Sequence, residues 1–187
     1  MATDATATMD PRVARTRRDV VDAAAELLLS DGWDAVTHAE VARRAGYAKA
    51  TIYAHWPTRI DLIRASIDQI CNEASHPPAT GNLRDDLRAS LTDFAQDLEI
   101  GHLDRLLAGV IERANQGDVV TELRQRLYET GTRAMRSILE THLSPNDIEP
   151  VLTLLTGAVL VRVSFEGEPA TAEFIDDIIE RVLTHRD

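Results

Sequence analysis

The sequence predicts an all-α fold in two parts, a three-helix unit near the N-terminal end and a larger helical body after it. Three observations predict it. Apolar residues recur at intervals of three and four along most of the chain, and no strand-like alternation of useful length interrupts them. Glycine and proline are sparse, at nine and seven of 187 residues, so long stretches pass without a helix breaker. No internal repeat is present.

The first element follows a short polar tail, taken as residues 1–11 with the helical pattern setting in at Pro11. Val20, Val21, Ala24, Leu27 and Leu28 line one side, leaving Asp22 and Glu26 outside, and Asp31-Gly32 ends the helix. Thr37 starts a second helix, and Glu40 three residues on completes the pattern of a capping box. Val41, Ala42 and Ala45 give this short helix its apolar side, and Gly46 stops it. A third helix runs from Ala48 to about Ala54, with Ile52 and Trp56 facing inward. Pro57 breaks the chain, Thr58 recaps it with Asp61 in the capping-box place, and a fourth helix carries Ile60, Ile63, Ile67 and Ile70.

His76-Pro77-Pro78-Ala79-Thr80-Gly81 reads as the linker between domains, giving expected limits of 12–74 for the first and 82–187 for the second. Four or five helices follow. Leu83, Leu87, Leu91, Phe94 and Leu98 mark one, and Leu103, Leu106, Leu107, Val110 and Ile111 the next. Val120, Leu123, Leu127, Ala134, Ile138 and Leu139 mark a long helix with Gly131 as its weak point. Residues 151–163 are apolar nearly all round, as a helix covered on both sides must be. Phe174, Ile175, Ile178, Ile179, Val182 and Leu183 form a double stripe broad enough for a helix-bundle seam.

A chain 44% hydrophobic and 27% charged is ordinary for a globular protein of one or two domains. The single cysteine, Cys71, permits no internal disulfide, so a reducing cytoplasm is the expected compartment. The first ten residues lack the apolar core of a secretory signal. The most apolar run, residues 151–161, falls far short of the ~20 residues a membrane helix needs and is followed at once by Arg162.

Net charge is −11, but it is unevenly spread. Residues 12–64 carry nine Lys and Arg against seven Asp and Glu, whereas residues 76–187 carry eleven against twenty. Arg12, Arg15, Arg17, Arg18, Arg43, Arg44, Lys49 and Arg59 thus form a basic head on an acidic body. That distribution fits an N-terminal unit that meets nucleic acid and a body that nucleic acid repels.

A helix-turn-helix needs a small residue where its helices touch, a glycine at the turn and a branched apolar anchor on the second helix. Ala42, Gly46 and Ile52 stand at the required spacing, with Val41 and Ala45 in the seam. An ordinary pair of core helices shares these features. The neighbouring residues separate the two readings. Gly46-Tyr47-Ala48-Lys49-Ala50-Thr51-Ile52-Tyr53-Ala54-His55-Trp56-Pro57-Thr58-Arg59 resembles the signature of the tetracycline-repressor (TetR) family. The likeness extends upstream through Ala24, Leu27, Leu28, Gly32, Trp33, Thr37 and Val41, and downstream to Leu62 and Ile63. Leu155-Thr156-Gly157-Ala158, Arg162 and Gly167-Glu168-Pro169 look like one regulatory-domain type of the same family.

The resemblance implies that Lys49, Ala50, Thr51 and Tyr53 face the major groove and that Thr37, His55 and Arg59 hold phosphates. The chemistry of most agrees. Lysine bonds guanine O6 and N7, the methyls of Ala50 or Thr51 suit a thymine methyl, and a hydroxyl at a helix start donates to phosphate. Three positions depart from the family pattern: Ala48 replaces a serine or threonine cap, Ala50 a frequent glycine, and Tyr47 a small aliphatic residue. Plainer readings stand beside these: His55 as a solvated ring on Trp56, Tyr53 as a packing residue, Arg12 to Arg18 as a solvated helix start. Arg162 either meets a ligand or pairs with a carboxylate, Glu166 or one from a partner chain.

The six histidines are scattered without metal-ligand spacing, and phosphate loops and nucleophile turns are absent, so neither enzyme nor cofactor nor metal is expected. A helical dimer that no longer binds DNA is the competing class, opposed by the intact Lys49, Thr51, Tyr53 and His55 set. The expectation is therefore a homodimeric regulator, most simply a repressor of a palindromic operator. A small molecule is expected to release it, from a cavity among the helices marked by Leu91 and Phe94, Leu106 and Val110, and Leu123 and Leu127.

Overall fold

The computed structural model of the chain describes residues 10–184; most of the expected tail, residues 1–9, and His185 lie outside it. Pro11 is the first residue of the first helix, and Asp10 caps it, its carboxylate accepting from Arg12 N at 2.8 Å. A proline suits that position because its missing N–H would have no intrahelical partner there.

The described residues form nine α-helices and no strand. These are α1 (Pro11–Ser30), α2 (His38–Ala45), α3 (Lys49–His55), α4 (Arg59–Glu73), α5 (Leu83–Glu99), α6 (Leu103–Glu112), α7 (Asp118–His142), α8 (Pro145–Leu160) and α9 (Ala172–Thr184). A 3-10 turn (Trp33–Ala35) precedes α2, and a π-helical segment (Val161–Phe165) continues α8. The chain divides into two compact units, Met1–Ile70 and Cys71–Asp187. That division falls inside α4, whereas the stretch without helix is residues 74–82.

In the N-terminal unit α2 and α3 have eight and seven residues, too short to persist alone. Burial holds them. Val41 from α2 and Ile52 from α3 are fully enclosed, as are Val20, Leu28, Leu62 and Ile67 from α1 and α4. Each such side chain contributes about 1.5–3 kcal/mol when removed from water. The start of α4 is a complete capping box: Asp61 accepts from Thr58 N at 3.0 Å, and Thr58 Oγ1 accepts from Asp61 N at 3.2 Å. At α2 only half of the expected box forms. Glu40 N donates to Thr37 Oγ1 at 3.2 Å, but the Glu40 carboxylate turns to Arg43, accepting from its Nε at 2.9 Å. An arginine one turn on offers two donors on a charged group where the Thr37 N–H offers one uncharged donor, and Thr37 N finds Ala35 O at 2.8 Å instead.

In the C-terminal unit Leu87, Leu91, Leu139, Leu152, Leu155 and Val159 form the centre of the core, closed by Ile175 and Ile179 from α9. The long helix is not loosened at Gly131: α7 runs unbroken for 25 residues. Arg84 and Arg88 on α5 pair with Glu180 and Asp176 on α9, the latter at 2.5 Å. Arg162 takes the carboxylate alternative, its Nη1 lying 2.9 Å from Glu166 and its guanidinium carbon 5.4 Å from the Phe174 ring centroid. Its own chain covers one side of the apolar run of α8. Ile148, Val151, Leu152, Leu155 and Val159 are buried, while Leu154 and Phe165 on the other side are 59% and 81% exposed.

Candidate nucleic-acid interface

The turn between α2 and α3 depends on Gly46. Its φ of +76° lies in the left-handed region that side chains rarely adopt. There Gly46 N and Tyr47 N both reach Ala42 O at 3.1 Å, satisfying a carbonyl that the helix end leaves over. Ala48 then precedes α3 as its N-cap without any side-chain cap bond, as its substitution for a hydroxyl residue implies, and Thr51 N donates to Ala48 O at 3.0 Å.

With Ile52 pointing into the core, helical spacing turns Lys49, Ala50, Tyr53 and Ala54 outward, and all four are exposed. Thr51 and His55 are half-buried at the edges of this face. Lys49 is the only lysine of the chain. Tyr53 is 51% exposed and stacks on His38, with ring centroids 4.0 Å apart and planes 6° from parallel. His55 sits edge-on to Trp56 at 5.6 Å, the packing that the plainer reading foresaw. Thr37 is exposed at the start of α2, its oxygen already accepting from Glu40 N.

Arg59 is the expected phosphate ligand whose guanidinium is most committed elsewhere. Its Nε donates to Val36 O at 2.9 Å, and one Nη donates to Trp33 O at 2.5 Å and lies 3.0 Å from Asp34. It closes the loop before α2. Arg43 and Arg44, counted in the basic head, are also engaged: Arg43 with Glu40, and Arg44 with Asp31 at 3.3 Å. The Arg43 guanidinium holds the Glu40 carboxyl below its ordinary range. The cations of α1 are more open. Arg12, Arg15, Arg17 and Arg18 are exposed, and the Arg17 guanidinium lies 5.5 Å from the Trp56 ring centroid, which brings α1 beside the end of α3.

Two residues with parts in this surface escaped the sequence reading. Tyr47, noted only as a departure from a small aliphatic residue, donates its hydroxyl to Asp19 on α1 at 2.7 Å and ties the turn to that helix. His38 is buried, and its Nε2 lies 2.7 Å from Trp56 O. A histidine next to a helix cap ordinarily meets solvent, and only the fold brings Tyr53 and Trp56 to it.

The comparisons with known proteins follow this division of the chain. Residues 20–66 match the family model described as bacterial regulatory proteins, tetR family, and residues 77–182 match the tetracyclin repressor-like C-terminal domain. The HTH-type transcriptional regulator YdeS of Bacillus subtilis is 28% identical over 179 residues, covering 90% of this chain and 88% of the relative. The TetR family transcription regulator SCO0332 superposes with a TM-score of 0.67 at 26% identity, over 91% of this chain and 97% of that one. The multidrug binding protein EbrR, solved with ethidium, shares the fold with a TM-score of 0.68 at 20% identity, over 89% and 98% of the two chains. The C-terminal match alone spans more than half of the sequence, and the chain belongs to the TetR family of DNA-binding transcriptional regulators.

Proposed function

We propose that this chain is a non-enzymatic cytoplasmic repressor that binds a palindromic operator as a homodimer and leaves it when a small molecule binds. One observation carries the DNA reading. The face of α3 opposite Ile52 presents Lys49, Ala50 and Tyr53 together to solvent, on a helix anchored by a fully buried residue. In this reading the domain of residues 12–74 binds DNA, with Lys49, Ala50, Thr51 and Tyr53 on base edges or the sugar–phosphate rim of the major groove. Thr37 and His55 hold phosphates. Arg59 has the smaller share, since most of its donors hold the loop before α2. The arginines of α1 track the backbone.

The domain of residues 82–187 would dimerise and sense. In this reading a small molecule lodges between α5, α6 and α7, where Leu91, Leu106, Val110, Leu123 and Leu127 are buried and Phe94 is half-buried. The ethidium complex of EbrR supports such a role by fold likeness. The ligand must bind the released conformation more tightly than the DNA-bound one, or it shifts nothing.

Selection of duplexes from a random-sequence pool by the full chain tests the DNA reading. The expected product is a sequence with two-fold symmetry whose affinity falls steeply with salt, as counterion release requires. Recovery of no preferred sequence, at low or moderate salt, would sink it. Screening small molecules for thermal stabilisation, then for release of the selected duplex, tests the sensing half separately.

A further inference from the structure

We propose that His38 is a positioning residue for Tyr53, holding its ring at the angle in which α3 presents it to DNA. The proposal rests on the DNA-binding reading above and adds to it a residue outside the recognition helix. Three contacts define the device. The His38 imidazole lies 4.0 Å from the Tyr53 ring and 6° from parallel to it. Its Nε2 lies 2.7 Å from Trp56 O. The residue itself is 8% exposed, so the imidazole has little freedom of its own.

The hydrogen bond fixes the tautomer. A carbonyl oxygen only accepts, so Nε2 carries the proton and donates it to Trp56 O. Trp56 is the residue on which α3 ends, and it too is buried. His38 is the first residue of α2. The imidazole is thus pinned at one edge to the end of α3 while its face supports a ring one turn earlier on the same helix. Tyr53 cannot swing about its χ angles without leaving that support.

A half-exposed tyrosine on a seven-residue helix would otherwise sample several rotamers and lose that freedom on binding. Stacking removes the loss beforehand, because one face of the ring is already covered. The Tyr53 hydroxyl has no hydrogen-bond partner among the described residues, so the held ring carries an unused donor into the solvent face. Aromatic stacking is favourable enough to hold such a ring yet leaves its outer edge and hydroxyl open.

A double-substitution cycle on the full chain, measured with the duplex selected by the wild-type protein, tests this. His38→Ala should weaken binding about three- to tenfold, the cost of ordering one freed side chain. In a Tyr53→Ala background the same change should cost less than about twofold, because no ring is left to position. An equal loss in both backgrounds would mean that His38 only supports the fold, and no loss in either would overturn the proposal as directly. His38→Phe separates the two roles. It keeps a ring under Tyr53 but leaves the Trp56 carbonyl unpaired, so melting temperature should fall while affinity stays within about twofold of wild type. A loss as large as that of His38→Ala counts against the stack. If His38→Ala does not fold, proton NMR of the DNA-free wild type still decides. Tyr53 is one of three tyrosines, and its ring protons should be shifted upfield by the imidazole; unshifted resonances refute the device. A wild type that selects no DNA, yet shows the shifted ring, would defeat the DNA reading and not the stack.

Discussion

At the scale of single residues, the recognition face and the parts that hold it obey different physics. Lys49 and Tyr53 project from α3 and support little of the core, so Lys49→Ala and Tyr53→Ala should each weaken specific DNA binding by about 1–3 kcal/mol. Neither should change the unfolding midpoint much, and gel-shift titration beside thermal melting checks both. Arg59 should behave in the opposite way. Because its guanidinium bonds Val36 O and Trp33 O, Arg59→Ala should lower the stability of the N-terminal unit by about 1–3 kcal/mol. Urea unfolding followed by tryptophan fluorescence reports this, since Trp33 and Trp56 both lie in that unit. A variant of unchanged stability and impaired DNA binding would return Arg59 to phosphate. The exposed face of α3 was legible in the sequence because it follows from the helical period once Ile52 is placed inward. The partners of Arg59, Tyr47 and His38 were not. They lie 15 to 28 residues away in the chain, and no period or spacing rule joins residues at such distances.

At the scale of elements, the starts and stops of helices were the most legible features, and their failures are instructive. Thr58 and Asp61 form the reciprocal bonds their spacing implies, whereas Thr37 and Glu40 form one of the two because Arg43 competes for the carboxylate. The pattern is local, but its outcome depends on a third residue. A further cap was invisible as such. Asn82 caps α5 in the ordinary way, accepting from Arg84 N at 3.1 Å. Asp86, one turn inside the helix and buried, reaches back to the preceding loop. Its carboxylate accepts from Thr80 N and Thr80 Oγ1, both at 2.7 Å, and from Gly81 N at 2.9 Å. The Thr80 N–H, then the Thr80 hydroxyl, hold the Asp86 carboxyl below its ordinary range. A lowered carboxyl stabilises the fold above the unfolded value of 3.8, and that contribution is lost as pH falls from there through the folded value. Asp86→Asn should therefore lower the melting temperature by several degrees near neutral pH. The gap to wild type should close as pH drops below the ordinary aspartate range. Melting curves across that range check it, and a gap independent of pH would assign the stability to shape rather than to the ionised acceptor.

At the scale of the whole molecule, the remaining question is what covers α8. A single copy leaves Leu154, Val161 and Phe165 at 59%, 47% and 81% exposure, spaced seven and four residues apart. Ala158 lies between them on the same face, and α9 adds the half-buried Phe174, Ile178 and Val182. Large apolar side chains exposed in a row of this kind mark an interface more often than a solvated face. In the proposed dimer these two helices meet their copies about a two-fold axis as a four-helix bundle. The same run of apolar residues was legible in the sequence as a helix covered on both sides. Only the fold separates the half used by the core from the half left over. Leu154→Asp is the informative substitution, because Leu154 lies outside the core of its own chain and a carboxylate there costs the monomer little. Wild type should sediment as a dimer at micromolar concentration, and Leu154→Asp as a monomer with unchanged helical content. Affinity for a symmetric duplex should then fall by about 100-fold or more, since the second half-site would no longer be met at high effective concentration. Binding of the variant to a single half-site should survive, which separates loss of pairing from loss of the recognition helix. A wild type that remains monomeric at micromolar concentration, or a Leu154→Asp variant that still pairs, would move the interface away from α8.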